Sequence, residues 1–212
     1  MRPLYHIAIE GVIGVGKTSL AQHLAERLSA RLVLEEFEEN PFLENFYKDK
    51  KRYAFHTQLY FLLSRYRQQQ DLRQTDLFSS LLITDYMFQK DRLFAYLNLE
   101  EKELSLYNKV ANLLEENITN PDLVIYLQAD TDRLLYNIRK RARDIEAPIT
   151  RDYIEALNKM YNEFFFHFNA SPLLIINATE IDFVENPDDL EDLIKTIRQP
   201  VTGTRFLNPI KH

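Results

Sequence analysis

The glycines of this chain are concentrated in one place, and that concentration is the strongest constraint on its fold. Average usage predicts about 15 glycines for 212 residues, yet the sequence has four, and Gly11, Gly14 and Gly16 fall within six residues of one another. Glycine is needed where the backbone takes conformations that other residues avoid. This segment is therefore predicted to follow an unusual backbone path.

Residues 11–18 read Gly-Val-Ile-Gly-Val-Gly-Lys-Thr and fit the pattern G-x-x-x-x-G-K-[ST]. They lie between an apolar run and an amphipathic helical stretch, which is the context that a phosphate-binding loop requires. In such a loop, the backbone amides and the helix N-terminus bind phosphate. The lysine contacts the β- and γ-phosphates, and the hydroxyl binds Mg²⁺. The plainer alternative is a glycine-rich turn with an exposed lysine. The pattern predicts a phosphate donor site and leaves the acceptor open. Its predicted ATP-binding residues are Gly11, Val12, Ile13, Gly14, Val15, Gly16, Lys17, Thr18 and Ser19.

Composition excludes several classes of protein. The 26 basic and 32 acidic side chains give a formal charge of −6, which argues against nucleic acid as the main partner. The first ten residues lack the features of a secretion signal, and no apolar run reaches the roughly 18 residues that span a bilayer. With no cysteine, disulfides and thiolate metal sites are impossible, and we expect a cytoplasmic protein with no membrane partner. The histidines show no metal-ligand spacing, so Mg²⁺ bridging a substrate is the only metal expected.

Short apolar runs alternate with stretches of helical period, which is typical of an α/β fold around a parallel sheet. We predict a three-layer, doubly wound, five-stranded parallel sheet with helices on both faces, in one domain over residues 1–202. The tail from Gly203 to His212 has little periodicity and is expected to be mobile. The predicted strands are Leu4–Glu10, Arg31–Glu35, Leu81–Asp85, Leu123–Gln128 and Leu173–Asn177. The predicted helices are Lys17–Ser29, Arg52–Gln74, Phe88–Leu97, Glu100–Asn117, Thr131–Arg143, Thr150–Asn169 and one after Asn186-Pro187-Asp188.

Two strand-end carboxylates are candidates for the group that receives a phosphoryl acceptor: Glu35, with its neighbour Glu36, and Asp85. In a doubly wound sheet such groups belong at the carboxyl ends of strands. Gln58 and Arg65, seven residues apart on one predicted helix, lie on nearly the same face and offer hydrogen-bonding groups suited to a nucleobase. The plainer interpretations are solvated acids at strand ends and a polar stripe on an exposed helix. The residues alone leave both open.

From Leu4 to about Asp182, the sequence resembles the deoxynucleoside kinases of the P-loop family. Glu35 stands five residues before Asn40, in the kind of segment where bacterial members carry their catalytic glutamate. Asp85-Tyr86-Met87 occupies the position of the acid-Arg-Ser/Thr motif. The basic run Arg139–Arg143 looks like the Arg-rich lid, at about residues 137–150, that closes over the phosphates. A basic helix end, favoured by the helix dipole, is the plainer interpretation of that run.

The resemblance implies roles for the matching residues and a homodimer packed through its long amphipathic helices. Glu35 is implied as the base, Tyr47 and Glu146 as ligands of the sugar 3′-hydroxyl, and Gln58 and Asp91 as readers of the base. In full, the implied catalytic residues are Glu35, Arg65, Asp85 and Arg141, and Arg139 and Arg143 join the loop in binding ATP. The implied substrate-binding residues are Glu35, Tyr47, Gln58, Arg65, Phe88, Asp91 and Glu146, and the implied Mg²⁺ ligands are Thr18 and Asp85.

Three positions depart from the family pattern. Tyr86 replaces the arginine usual in the acid-Arg-Ser/Thr motif, although some purine-specific bacterial members also read Asp-Tyr. Ala142 stands where glycine is common in the lid, and Asn137 where many members carry another arginine. Stabilisation of the negative charge in the transition state then depends on Lys17, Mg²⁺ and the arginines Arg65, Arg141 and Arg143.

The function expected from the resemblance is ATP-dependent phosphorylation of the 5′-hydroxyl of a deoxynucleoside, with a preference for deoxyadenosine or deoxyguanosine. The main alternative is a nucleoside monophosphate kinase of the thymidylate type. A carboxylate, Glu35, stands where the 5′ group is expected to arrive, and this disfavours an anionic acceptor. A GTPase-like switch is disfavoured because the sequence contains no Asn-Lys-x-Asp. A degenerate kinase kept for binding is suggested only by Tyr86 and Asn137.

Overall fold

The computed structural model describes residues 4–75, 81–116 and 118–209, and the side chains of these residues except for 72–75. Within these ranges the chain forms six strands, eight α-helices and two single-turn 3₁₀ helices, Phe37–Glu39 and Asp144–Glu146. The strands are β1 (His6–Gly11), β2 (Arg31–Val33), β3 (Leu82–Thr84), β4 (Leu123–Gln128), β5 (Leu173–Asn177) and β6 (Thr204–Leu207). The helices are α1 (Lys17–Leu28), α2 (Leu43–Lys48), α3 (Lys50–Thr75), α4 (Lys90–Asn98), α5 (Glu101–Glu115), α6 (Thr131–Arg141), α7 (Arg151–His167) and α8 (Pro187–Ile197).

All six strands belong to one parallel sheet with the order β2-β3-β1-β4-β5-β6. Strand β1 is central: Ile7 aligns with Ile83 of β3 on one side and with Leu123 of β4 on the other. The loop after β1 therefore leaves the sheet where strand order reverses, which is where doubly wound folds bind ligands. The predicted parallel α/β fold class is confirmed.

The strand count of five is wrong, because Thr204–Leu207 forms a sixth strand parallel to β5. This strand lies in the segment that was expected to be mobile. It is a four-residue edge strand, too short to produce a clear apolar period. Residues 210–212 of the predicted tail lie outside the described residues.

Local sequence explains most of the other elements. Five consecutive residues of β4 are buried, and since neighbouring side chains point to opposite faces, the sheet is covered on both sides. Helices α6 and α7 begin where the side chains of Asp130 and Thr150 accept backbone hydrogen bonds. Asn186 caps α8 and Pro187 occupies its first turn, as predicted.

Two boundaries differ from the prediction in ways that matter for function. Strand β2 ends at Val33, so Glu35 lies in the loop that follows. Helix α6 ends at Arg141 because Ala142 takes a left-handed backbone conformation with φ 47°, which leaves Arg143 outside the helix. The short helix Leu43–Lys48 was not predicted, and the predicted helix end at Asn117 lies outside the described residues.

No helix in the described part of the chain combines the length and the apolar character needed to cross a bilayer.

Candidate active site

The glycine-rich loop has the special backbone that its sequence predicts. Gly14 and Gly16 have φ angles of +91° and +99°, in the region that favours glycine. A Cβ atom on Gly14 would lie 2.6 Å from the backbone oxygen of Leu134 in α6. The side-chain amide of Asn137, also in α6, donates a 2.8 Å hydrogen bond to the Gly14 carbonyl oxygen. Helix α6 therefore supports the loop at its tightest point.

Lys17, the first residue of α1, is held back against this loop. Its Nζ atom donates hydrogen bonds to the carbonyl oxygens of Gly11 and Val12, at 2.8 and 3.2 Å. Burial, together with repulsion from Lys90, lowers the pKa of the Lys17 ammonium to about 8, although nearby carboxylates oppose the shift. The ammonium is thus held at the phosphate loop in a partly buried position.

Asp85 connects the loop to the segment after β2. Its Oδ2 atom accepts a 2.6 Å hydrogen bond from the Thr18 hydroxyl, and its Oδ1 atom accepts one of 2.8 Å from the Glu35 backbone N–H. Among the described residues, no group of three or more acidic, His or Cys side chains forms a metal cage. Mg²⁺ in nucleotide sites uses one or two protein oxygens together with phosphates, and the Thr18–Asp85 pair fits that donor set.

Glu35 lies between two cations. Its Oε1 atom accepts a hydrogen bond from Arg65 Nη2, and its Oε2 atom accepts one of 2.6 Å from Lys90 Nζ. Its side chain is 16% exposed, and those of Arg65 and Lys90 are 5% and 4% exposed. Burial alone raises the pKa of a carboxyl, but the charges and hydrogen bonds of Arg65 and Lys90 hold the pKa of Glu35 well below its usual range. Glu35 is therefore an anion at neutral pH.

These groups line one cavity. Its wall includes Lys17 and Thr18 from the donor loop together with Glu35, Asp85 and Gln58. The Oε1 atom of Gln58 is buried and has no hydrogen-bond partner, so a ligand in the cavity has an acceptor available. The other lining residues are Ile13, Phe37, Leu43, Phe46, Tyr47, Thr57, Phe61, Arg65, Lys90, Phe94, Arg141, Arg143, Ile145, Glu146, Tyr153 and Tyr161.

Two arginines, one at the end of α6 and one in the segment that follows it, lie at this cavity. Arg141 makes two hydrogen bonds to Glu146, of 2.7 Å from Nε and 2.5 Å from Nη2. Arg143 lies 3.8 Å from the same carboxylate, and its guanidinium carbon is 4.6 Å from the centre of the Phe37 ring. Both arginines line the cavity, and Glu146 orients them.

The sequence profile of the deoxynucleoside kinase family matches residues 7–202. The chain belongs to the deoxynucleoside kinase family. The deoxyadenosine/deoxycytidine kinase of Bacillus subtilis (strain 168) is 30% identical over 198 residues, covering 90% of this chain and 90% of that protein. The deoxyguanosine kinase of the same organism is 33% identical over 198 residues, covering 91% of this chain and 96% of that protein.

Among solved structures, the deoxyadenosine kinase from M. mycoides with bound dATP superposes with a TM-score of 0.80. It is 27% identical, and the match covers 92% of this chain and 100% of that chain. This deoxynucleoside kinase is therefore an enzyme that uses a nucleotide phosphoryl donor and binds deoxynucleosides and nucleotides.

The structure of this kinase places most of the predicted site residues in the walls of two cavities at the phosphate loop. Gly14, Val15, Gly16 and Ser19 line the second of these cavities with Asn137. Gly11 and Val12 are buried and hold Lys17 through their carbonyl oxygens. The predicted residues that line the first cavity are Ile13, Lys17, Thr18, Glu35, Tyr47, Gln58, Arg65, Asp85, Arg141, Arg143 and Glu146.

Three predicted site residues lie elsewhere. Phe88 belongs to the hydrophobic core and is 4% exposed, and it is not part of the cavity wall. Asp91 is 1% exposed and forms an ion pair with Arg65, and it is not part of the cavity wall. Arg139 is exposed, because it lies on the outer side of α6, and it lines neither cavity.

Lys90 is the residue of this kinase that the sequence analysis missed, although it contacts Glu35 directly. A signal was present in the sequence. Lys90 is the first residue of α4, where the positive end of the helix disfavours a cation. A lysine at that position indicates a nearby anion. Asn137 was noted only as a departure from the lid pattern, and its bond to Gly14 was not foreseen.

Proposed function

We propose that this kinase transfers the γ-phosphoryl group of ATP to the 5′-hydroxyl of a purine deoxynucleoside, deoxyadenosine or deoxyguanosine, in nucleotide salvage. One observation carries the proposal: a single cavity is lined by Lys17 and Thr18 of the phosphate loop and by Glu35 and Gln58. A donor phosphate and an uncharged nucleoside can therefore meet beside one carboxylate.

Glu35 receives the acceptor hydroxyl. Each carboxylate oxygen has two lone pairs, so Glu35 accepts a further hydrogen bond while Arg65 and Lys90 stay in place. A carboxylate with a depressed pKa is a weak base, which suits a loose transition state in which the nucleophile needs orientation more than early deprotonation. The O5′–P bond forms as the bond between phosphorus and the ADP oxygen breaks. The hydroxyl proton passes to Glu35 and from there to solvent.

Cations of the chain bind the donor phosphates. Lys17 moves from the loop carbonyls to the phosphates, and Arg141 and Arg143 exchange their contacts with Glu146 for phosphate oxygens. Arg139 joins them in binding ATP from its exposed position on α6. Thr18 and Asp85 would hold Mg²⁺, which when bound neutralises charge on the phosphates.

The nucleoside is held by groups on the cavity wall. Gln58 pairs with the base through its free amide oxygen, and Tyr47 binds the sugar 3′-hydroxyl with Glu146 once the arginines have moved. Burial raises the pKa of the Tyr47 hydroxyl well above its usual value, so this group remains a neutral donor. The purine preference rests on the names of three relatives: a deoxyguanosine kinase, a deoxyadenosine kinase and a deoxyadenosine/deoxycytidine kinase.

The test is to incubate the pure protein with ATP, Mg²⁺ and each of the four deoxynucleosides or their 5′-monophosphates. We expect deoxyadenosine or deoxyguanosine to give the highest kcat/KM, and the monophosphates to give no product. Fastest turnover of thymidine or deoxycytidine would contradict the purine preference. Phosphorylation of a monophosphate would support the thymidylate-type alternative, and ADP formation without any nucleoside would support a nucleotide hydrolase.

We also propose that residues 1–202, together with β6, act as one catalytic domain whose lid spans about 137–150. The enzyme is proposed to work in the cytoplasm, where ATP is available. A homodimer is proposed from the family and is consistent with the exposed apolar side chains of Leu106, Leu113 and Phe166. Sedimentation equilibrium at several protein concentrations tests it: a single species of twice the chain mass of 25.2 kDa is expected. A monomer at every concentration would exclude the dimer.

A further inference from the structure

Lys90 occupies a position where a lysine side chain is unfavourable unless an anion lies next to it. It is the first residue of α4, its side chain is 4% exposed, and it lines the cavity beside Lys17. Burial removes water from the ammonium, and both the helix N-terminus and Lys17 repel it. The contact that offsets these costs is the 2.6 Å hydrogen bond from its Nζ atom to Glu35 Oε2.

The charges around Glu35 are divided unequally. Arg65 forms ion pairs with both Glu35 and Asp91, so its charge is shared between two carboxylates. Within the described ranges, the ion pair of Lys90 is with Glu35 alone. Tyr86 is fully buried and uncharged, in the position where the family motif has an arginine. The direct ion pair of Lys90 is therefore with Glu35, while the buried carboxylate of Glu10 attracts it from a longer distance.

We propose that Lys90 is a positioning residue for phosphoryl transfer: its ammonium keeps the Glu35 carboxylate anionic and aimed into the cavity, and supplies the positive charge that Tyr86 does not carry. Three groups from different elements then hold Glu35. Asp85 binds its backbone N–H, Arg65 one carboxylate oxygen and Lys90 the other. Without Lys90, the carboxylate is free to turn both oxygens towards Arg65, which has a fork of donors, and away from the acceptor hydroxyl.

This inference rests on the proposed role of Glu35. It predicts a loss in kcat with little change in KM, because Lys90 acts on the reacting carboxylate and not on the binding of either substrate.

The experiment compares Lys90→Met, Lys90→Arg and the control Lys195→Met in the full-length protein. Lys195 is an exposed lysine of α8 paired with Asp192, so its substitution makes the same chemical change away from the cavity. With ATP, Mg²⁺ and the deoxynucleoside that wild-type enzyme phosphorylates fastest, we expect Lys90→Met to lower kcat about 10²-fold, as for loss of one partner of a buried ion pair. The KM for each substrate should stay within about threefold of wild type.

Restoring the charge must restore the rate. The kcat of Lys90→Arg should be about tenfold higher than that of Lys90→Met. Because a guanidinium is larger than an ammonium, a Lys90→Ala variant is assayed in parallel with added ethylammonium, which should raise kcat with saturation. A structural role alone predicts no response to ethylammonium.

A double-substitution cycle shows whether Lys90 acts through Glu35. If it does, Glu35→Gln/Lys90→Met should have the same kcat as Glu35→Gln, since the carboxylate that Lys90 holds is already gone. If the loss of kcat in the double variant equals the product of the losses in Glu35→Gln and Lys90→Met, the proposal is wrong. A Lys90→Met enzyme with wild-type kcat would also overturn it, as would a loss that neither arginine nor ethylammonium reverses.

The two proposals fail in different ways. If Glu35→Gln keeps wild-type kcat, the role of Glu35 is wrong and the proposal for Lys90 falls with it. If Glu35→Gln is inactive while Lys90→Met is fully active, only the proposal for Lys90 is wrong.

Discussion

The donor loop and the acceptor carboxylate adjoin the same cavity but are built in opposite ways. The donor loop is one continuous segment, residues 11–18, whose glycines take backbone angles that few other residues adopt. The acceptor carboxylate, Glu35, is held by Arg65 from α3, Asp85 after β3 and Lys90 from α4. The donor side depends on backbone conformation, and the acceptor side on charges that meet only in the folded chain. Substitutions should therefore damage the two sides by different mechanisms.

The largest expected effect is on the acceptor side. Replacing Glu35 with glutamine removes the anion that receives the hydroxyl proton, and we expect kcat to fall about 10²–10⁴-fold. ATP affinity, measured by titration calorimetry, should remain near wild type because the donor loop is untouched. The matched control is Glu36→Gln, since Glu36 is an exposed neighbour. If Glu36→Gln loses activity instead, the assignment of Glu35 is wrong.

The next effect concerns the backbone of the donor loop. In Gly14→Ala, the new Cβ atom would lie 2.6 Å from the Leu134 carbonyl oxygen, at a φ of +91°. Strain and overpacking of this kind cost about 1–3 kcal/mol each, so the midpoint of thermal unfolding should fall and the KM for ATP should rise.

Gly203→Ala is the control that distinguishes backbone strain from steric clash. Gly203 also has a positive φ, +64°, but nothing lies within 4 Å of its added Cβ atom. The substitution should lower stability by about 1 kcal/mol and leave the KM for ATP unchanged. Equal effects of the two substitutions on the KM would show that the loop does not need the close approach to α6.

A pH effect distinguishes the donor side from the acceptor side. Burial lowers the pKa of Lys17 to about 8, so the free enzyme loses this cation above that pH, and kcat/KM for ATP should decline as pH rises past about 8. The free energy of unfolding should change in the opposite direction. Between about 8 and the ordinary value of 10.5 the unfolded chain binds the proton and the folded chain does not, so stability rises with pH.

Lys17→Arg is the control for this pH effect, since arginine keeps its charge throughout the range. Its residual activity should show no decline above pH 8. A decline identical to that of wild type would assign the titration to another group.

The smallest effect lies in the lid. Ala142 ends α6 with a φ of +47°, where alanine is strained and glycine is not. Ala142→Gly should raise stability by about 0.5–1 kcal/mol in thermal unfolding, the strain relief minus the extra entropy of glycine in the unfolded chain. Ala147→Gly, at an exposed position with φ −53°, should lower it. A loss of stability in Ala142→Gly would mean that the left-handed turn is not present in solution.

The residues predicted from sequence were those with a local signature. The loop 11–18 was recognised in full, and Glu35, Gln58 and Arg65 were named from strand ends and helical spacing and lie in one cavity. The substrate-binding roles of Phe88 and Asp91 stay predictions, because their surroundings depend on packing: Phe88 joins the core, and Asp91 pairs with Arg65. Strand β6 was missed because a short edge strand has no clear period.

Local backbone chemistry is encoded by neighbouring residues, so the order of the amino acids by itself determined the phosphate loop, the alternation of strands and helices and the parallel α/β class. Only the tertiary structure decided how Glu35 is charged and held. Arg65 and Lys90, 30 and 55 residues from it along the chain, become its partners through packing of α3 and α4. Electrostatic interaction depends on distance in space and on burial, and neither is encoded by separation along the chain.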